Sequence, residues 1–168
     1  MVAQALRCHS TGDEYEETTM NRTTKAVLLS IALFGAAVSR ADDAANTEAL
    51  KVMDAFMTAF NQRDPAAWAD TLVYPHVRFA SGKVAVYPDR DAFIAGNQIQ
   101  KLADNEGWDH SAWDSIQIVQ SSPDKVHIAV NFSRYHKDGT KYASYPSLYI
   151  VERVDGRWGV RARSSFAP

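Results

Sequence analysis

Along the chain the apolar positions change period once, dividing the sequence into a helical first part and a stranded second part. From Ala44 to Gln62, the residues Leu50, Met53, Phe56, Met57 and Phe60 recur at three- and four-residue steps, the stripe of an amphipathic helix. Asn46 or Thr47 supplies a cap for its start, and Glu48 an acid in its first turn. Asn61-Gln62-Arg63-Asp64-Pro65 ends it, with Asp64 placed to cap a short second helix that has Pro65 at its first position. Ala66, Ala67, Trp68 and Leu72 form the buried side expected of that helix.

Period two takes over at His76-Val77-Arg78-Phe79-Ala80, breaks at Ser81-Gly82-Lys83 and resumes at Val84-Ala85-Val86-Tyr87, which predicts a hairpin. Pro88-Asp89-Arg90-Asp91 opens a third helix reaching about Asn105, with Phe93, Ile94, Ile99 and Leu102 inward and Gly107 as its stop. Four longer strands follow: Trp108 to Gln120, Lys125 to His136, Tyr142 to Val154, and Arg157 to about Phe166. Their connections Ser121-Ser122-Pro123-Asp124, Lys137-Asp138-Gly139 and Asp155-Gly156 are short turns, so the strands predict an antiparallel meander. The expected class is α+β: three helices on a strongly curved, mainly antiparallel sheet of about six strands.

Composition narrows the function classes. The chain has 168 residues, a net charge of −2, 46% hydrophobic and 11% aromatic residues, which suits one domain with a real core. No run of basic residues offers the electrostatic footprint that nucleic acid requires. The first 41 residues read as targeting. Met20 to Lys25 is a basic n-region, Ala26 to Val38 an apolar h-region, and Ser39-Arg40-Ala41 places small residues where a signal peptidase reads them. Residues 1–19 are expected to be an over-called start, 20–41 a signal peptide, and 42–168 a single domain, exported to the periplasm or secreted after cleavage near Ala41. The apolar run is too short to span a bilayer comfortably, so no membrane partner is expected for the mature chain. The one cysteine, Cys8, lies in the part removed or never made, leaving a mature chain without disulfides.

Three local patterns carry a resemblance covering about Ala44 to Phe166. One is Ala55-Phe56-Met57-Thr58-Ala59-Phe60-Asn61-Gln62-Arg63-Asp64, a helix ending in an N-x-x-D turn. Another is Tyr87-Pro88-Asp89-Arg90-Asp91-Ala92-Phe93-Ile94, a hairpin feeding a helix; the last is Asp155-Gly156-Arg157-Trp158-Gly159-Val160 at the start of the final strand. With the element order, these resemble the NTF2-like superfamily, the cone fold of nuclear transport factor 2, ketosteroid isomerase, scytalone dehydratase, limonene epoxide hydrolase and the SnoaL-like polyketide cyclases. The resemblance implies a pocket between the concave sheet and the helices, a small-molecule ligand, and a homodimer through the outer sheet face. It does not select an activity, because one cone hosts many chemistries and also non-enzymes.

The specific enzyme patterns of that superfamily match poorly. A ketosteroid isomerase-like site needs a tyrosine on the first helix, where this chain has Phe56 and Phe60, and no carboxylate sits inside strand Lys125–His136. A limonene epoxide hydrolase-like arrangement needs two inward acids about an arginine; Arg134, Arg161 or Arg163 would serve, but the acids have no assignment. Scytalone dehydratase-like chemistry uses types present as His76, His110, Tyr135, Tyr145 and Asp109.

Gly107-Trp108-Asp109-His110-Ser111-Ala112-Trp113-Asp114-Ser115 concentrates two tryptophans, carboxylates and a histidine. In a regular strand Trp108, His110 and Ala112 share one face, and Asp109, Ser111 and Trp113 the other, so Asp109 and His110 do not act as a pair. His110 at the pocket mouth and His76 at the start of the hairpin are the candidate proton-transfer groups. Trp108, Trp113, Arg134, Tyr145, Tyr74 and Arg163 are the candidate ligand contacts, set against a plainer reading of each as wall or interface residue. His127 alternates against Val126, Ile128 and Val130 and is expected outward, and His136 sits at a turn. In the last strand Trp158, Val160 and Ala162 predict a core face, with Arg157, Arg161 and Arg163 opposite. The sequence has no metal-ligand spacing, phosphate loop or nucleophile elbow, so no cofactor is expected. Two readings follow: a cone that binds a small, largely apolar molecule, with or without cofactor-free acid–base chemistry of the isomerase, dehydratase or cyclase type, or a dimeric assembly module with a filled cone.

Overall fold

The computed structural model of the protein describes residues 22–97 and 99–168, with side chains from Asp42 onward. The over-called start at 1–19, Cys8, the first residues of the signal segment and the side chains of its apolar run lie outside the described residues. The chain forms two units, Met1–Ala36 and Ala37–Pro168. Helical backbone from Arg22 is all that is described of the first; the sheet and its cavity belong to the second. No helix among the described residues is long and apolar enough to cross a membrane.

Helix α1 (Arg22–Asn61) turns an alanine stripe toward the sheet. Ala45, Ala49, Met53, Phe56 and Ala59 are buried, while Leu50, Met57 and Phe60 are only partly so. Ala45 and Ala49 join Met53 and Phe56 in the core, which the periodicity of large residues does not register. Helix α2 (Pro65–Asp70) starts as expected: the Asp64 carboxylate accepts from the amides of Ala66 (2.9 Å) and Ala67 (3.0 Å), ahead of Pro65.

Strands β1 (Leu72–Ala80) and β2 (Lys83–Tyr87) form the expected hairpin, with Ser81 and Gly82 both at positive φ (57° and 65°), the geometry of a type I′ turn. The expected third helix is two, α3 (Arg90–Gly96) and α4 (Ile99–Glu106). The chain leaves the helix at Asn97 (φ −72°, ψ 134°), whose side chain accepts from the Ile99 amide at 2.8 Å and restarts it. A Cβ at Gly96 would stand 3.0 Å from the Tyr87 ring, tighter than an ordinary contact.

The long strands are β3 (His110–Ser122), β4 (Lys125–Tyr135), β5 (Lys141–Val154) and β6 (Arg157–Ser165). The sheet order is β2-β1-β6-β5-β4-β3, antiparallel throughout except for the parallel pair β1–β6. The class is α+β, a curved mixed sheet with its helices on one face. The core between them is built from Met53, Phe56, Leu72, Ile128, Tyr149 and Val160 with their neighbours.

Irregularities in pairing decide which side chains face inward. Ile150 pairs with Ala162 but Val151 with Val160, so Arg161 is a bulge residue and the alternation of β6 reverses there. Val160 is buried as expected, but Ala162 turns to the outer face and the three arginines do not share a side. Arg157 donates to the carbonyls of Asp70 and Leu72, Arg161 pairs with Glu152 at 3.0 Å, and Arg163 points into the cone. His127 faces outward as the alternation requires, with its Nδ1 2.9 Å from Gln120 Oε1.

Candidate functional site

The concave face of the sheet and the helices enclose a cavity of about 480 Å³, open at one side. That lies in the range of small-molecule sites. Phe56 and Phe60 from α1, Trp68 from α2 and Phe93 from α3 form its aromatic roof. The strands supply His76 and Arg78 (β1), Tyr87 (β2), Trp113 (β3), Phe132 and Arg134 (β4), Tyr149 (β5) and Arg163 (β6). Helix α4 closes part of the mouth with Leu102 and Glu106.

Of the residues singled out from sequence, His76, Trp113, Arg134 and Arg163 meet at this wall; Trp108, His110, Tyr74 and Tyr145 do not line it. His110 lies on the outer face, stacked on Tyr135 (ring centroids 4.9 Å apart), with Nδ1 2.9 Å from Asp109 Oδ2. Asp109 precedes the strand and escapes its alternation, so the neighbours meet after all, at the surface. Trp108 is 2% exposed, donates to Ser111 Oγ at 3.0 Å and packs on Phe60. Tyr74 donates its hydroxyl to the Ala69 carbonyl at 2.9 Å, and burial pushes its pKa up to about 12. Tyr145 stays on the inner face, its ring 5.2 Å from the Arg134 guanidinium, but beside the cavity.

The start of β3 is held by the N-x-x-D turn. Asn61 exchanges two 2.9 Å hydrogen bonds with the main chain of Ser111, and Arg63 donates to the Trp108 carbonyl at 3.1 Å. That places Ser111 and Trp113 on the inner face. Immediately beyond, Asp114 is a bulge residue whose carboxylate collects Ser133, Asn131, Ser144 and Lys141 on the outer face. Those hydrogen bonds, Ser133 foremost, hold its pKa below the ordinary carboxylate value.

His76 is 3% exposed and its Nδ1 lies 3.1 Å from the Val160 carbonyl. A carbonyl only accepts, so Nδ1 carries the proton and Nε2 is left as an acceptor. Burial drives the pKa down to about 4, reinforced by the charges of Arg163 and Arg78. The ring is therefore neutral at pH 7, held between Tyr87 and Phe93. Burial also raises the Tyr149 hydroxyl and lowers Arg163 from its ordinary value.

Arg78 escaped the sequence reading, although alternation in His76-Val77-Arg78-Phe79-Ala80 puts it on the His76 face; the register sets it beside Arg163. Glu106, which accepts from Arg134 at 2.7 Å and from the Tyr142 hydroxyl at 3.1 Å, was also missed. No pair of acids brackets an arginine: Glu106 is the single carboxylate side chain among the described lining residues. Among the described residues no group of three or more His, Cys, Asp or Glu is placed to hold a metal ion.

The fold and its cavity define an NTF2-like protein. The family described as NTF2-like protein (DUF6841) matches residues 47–165, and the chain belongs to it. Solved structures agree on the fold. A protein of unknown function with a cystatin-like fold from Nostoc punctiforme is similar at a TM-score of 0.61 and 13% identity, over 73% of this chain and 90% of that one. An NTF2-like protein from Novosphingobium aromaticivorans is similar at 0.59 and 14%, over 89% and 91%. A ketosteroid isomerase-like protein from Erwinia carotovora atroseptica is similar at 0.52 and 23%, over 73% and 96%. A search of curated proteins finds no match.

Proposed function

We propose that the cone binds a small molecule with an apolar, ring-containing body, without a cofactor, and that His76 Nε2 accepts a hydrogen bond or proton from it. The observation that carries this reading is the aromatic cavity of about 480 Å³ with a neutral, oriented imidazole in its wall. An open cone favours this reading over an assembly module with a filled one. A base with a pKa of about 4 is weak, so in an enzyme it would serve a substrate whose proton is already acidic, in an isomerisation, dehydration or cyclisation. His110 is not part of this proposal, because it stands on the far face of the sheet.

The proposal includes export of the domain and a homodimer through the outer sheet face. Supporting the dimer, Val84, Phe79, Ser164 and Leu148 are register neighbours across β2, β1, β6 and β5, and the three apolar ones are 63%, 46% and 41% exposed. Native mass spectrometry of protein purified without denaturation tests both together. A dimer carrying a bound organic mass, lost in a Phe132→Trp variant that fills the cavity, is the expected result. A cone that stays empty on exposure to a library of small apolar compounds would overturn the ligand reading.

A further inference from the structure

The cavity wall is short of acceptors. Five N–H groups buried in lining residues have no partner among the described residues: the Nε of Arg78, Arg134 and Arg163, and the indole nitrogens of Trp68 and Trp113. Arg163 is only 8% exposed, donates to the neutral Ser165 hydroxyl at 3.1 Å, and lies over the rings of Phe132 (5.4 Å) and Tyr149 (5.6 Å). Arg134, 6% exposed, has Glu106, which it divides with Tyr142. Arg78 stands next to Arg163 in register, and among the described residues no carboxylate side chain is paired with either. Lys83 and Lys101 add to the wall, so among the described lining residues five bases, Arg78, Lys83, Lys101, Arg134 and Arg163, stand against the Glu106 side chain and the main-chain carboxylate of Pro168.

Buried charges are normally paired, because an isolated one loses its hydration without compensation. A neutral ligand would satisfy some of these N–H groups but leave the charge. A planar carboxylate matches the guanidinium fork and supplies both acceptors and charge. The remaining walls are apolar, with the rings of Trp68, Phe93 and Phe132 beside aliphatic Met57, Ile99 and Leu102, which suits an apolar body rather than a sugar or a chain of phosphates. We propose that the ligand is an organic anion, an apolar ring system bearing a carboxylate that is held between Arg78 and Arg163. This rests on the ligand-binding reading above and names the chemical class that reading leaves open.

Naphthalene-2-carboxylate and naphthalene-2-carboxamide test it, since they share shape and differ in charge. Both are titrated into the protein by calorimetry at pH 7.5. The carboxylate is expected to bind about tenfold more tightly or better. Arg78→Met and Arg163→Met should each weaken the carboxylate by about tenfold while moving the amide by less than about threefold, and Arg78→Lys should restore part of the loss. Arg78 is only half-buried, so its variant tests the same contact at a position with less effect on the core; a cooperative melt checks each. An amide that binds as well as the acid, or an acid indifferent to both arginines, overturns the anion assignment and leaves the ligand-binding cone standing. Binding of neither probe overturns the assignment along with the cone reading.

Discussion

The neutral His76 makes the fold sensitive to acid in a way that can be worked out beforehand. Its pKa is about 4 in the folded protein against an ordinary 6.5, with burial as the first cause. At about 1.36 kcal/mol per pH unit, a gap of roughly 2.5 units is worth about 3 kcal/mol. The sign follows from proton binding: between pH 6.5 and 4 the unfolded chain holds the proton and the folded one does not. Stability from this group is therefore complete above pH 6.5 and declines as pH falls to about 4. At pH 5, about 2 kcal/mol should be gone. His76→Asn removes the titration while its side-chain amide can still donate to the Val160 carbonyl. Urea unfolding of both proteins at pH 7.5 and 5.0 isolates the effect, because every other carboxylate and histidine is common to the pair. The variant is expected to be less stable at pH 7.5, having lost the ring between Tyr87 and Phe93, but to lose about 2 kcal/mol less than the parent between the two pH values. Equal losses, with His76 titrating near 6.5 by NMR, would refute the buried neutral tautomer.

Arg163→Met should raise the stability of the ligand-free protein by about 1–3 kcal/mol in urea unfolding, because an unpaired buried charge is exchanged for an apolar side chain of similar length. Gly159→Ala should cost about 3 kcal/mol or prevent folding, seen as a lowered melting temperature, since a Cβ would lie 2.8 Å from the Leu72 carbonyl carbon and 2.9 Å from Val73 Cγ1. Asp114→Ala should cost about 2 kcal/mol by leaving the buried Ser133 hydroxyl without its anionic partner, and hydrogen exchange should show loosened pairing of β3 with β4 around the bulge. Leu148→Lys should abolish the dimer proposed for the outer face, read by light scattering, without lowering the melting temperature by more than a few degrees.

The parts of the fold legible in the sequence are those whose cause is local. Asp64 ahead of Pro65, the Ser81-Gly82 turn and the alternation of β4 each depend on neighbours within a few positions, and each stands as read. What was not legible depends on distant partners. The close approach of Tyr87, on a different element, to Gly96 is invisible in the sequence around the helix that ends there. The alanine face of α1 is set by the strand residues it shares the core with, Val126 and Val151 among them. The bulge at Arg161 is the costliest case for reading function: one skipped residue moves Arg163 from an outer row of arginines into the cone, and nothing within β6 announces it. His76 was recoverable as a wall residue, but its neutrality comes from burial under distant elements and its tautomer from the Val160 carbonyl, 84 residues along the chain.

The same distinction supports the proposal that the cavity is a ligand site rather than a packing fault. A fault in a core is an apolar gap, and its lining makes no demand on an occupant. Here the gap is bordered by two arginines more than nine-tenths buried, by indole N–H groups without partners and by an imidazole whose tautomer is fixed from behind. Each of these lowers stability where it stands, and an apolar residue would relieve it. Away from the cavity, Asn46 Oδ1 is the one buried side-chain polar atom among the described residues without a partner, and other groups are answered: Asp114 by four donors, Asn61 by the main chain of Ser111, Arg157 by two carbonyls. A chain that satisfies its polar groups on the outer face of β3 and β4, yet leaves them open on the inner face a few ångströms away, has its unmet hydrogen bonds concentrated at one cavity. Local disagreement of that kind belongs to functional sites, where what completes the structure comes from outside it.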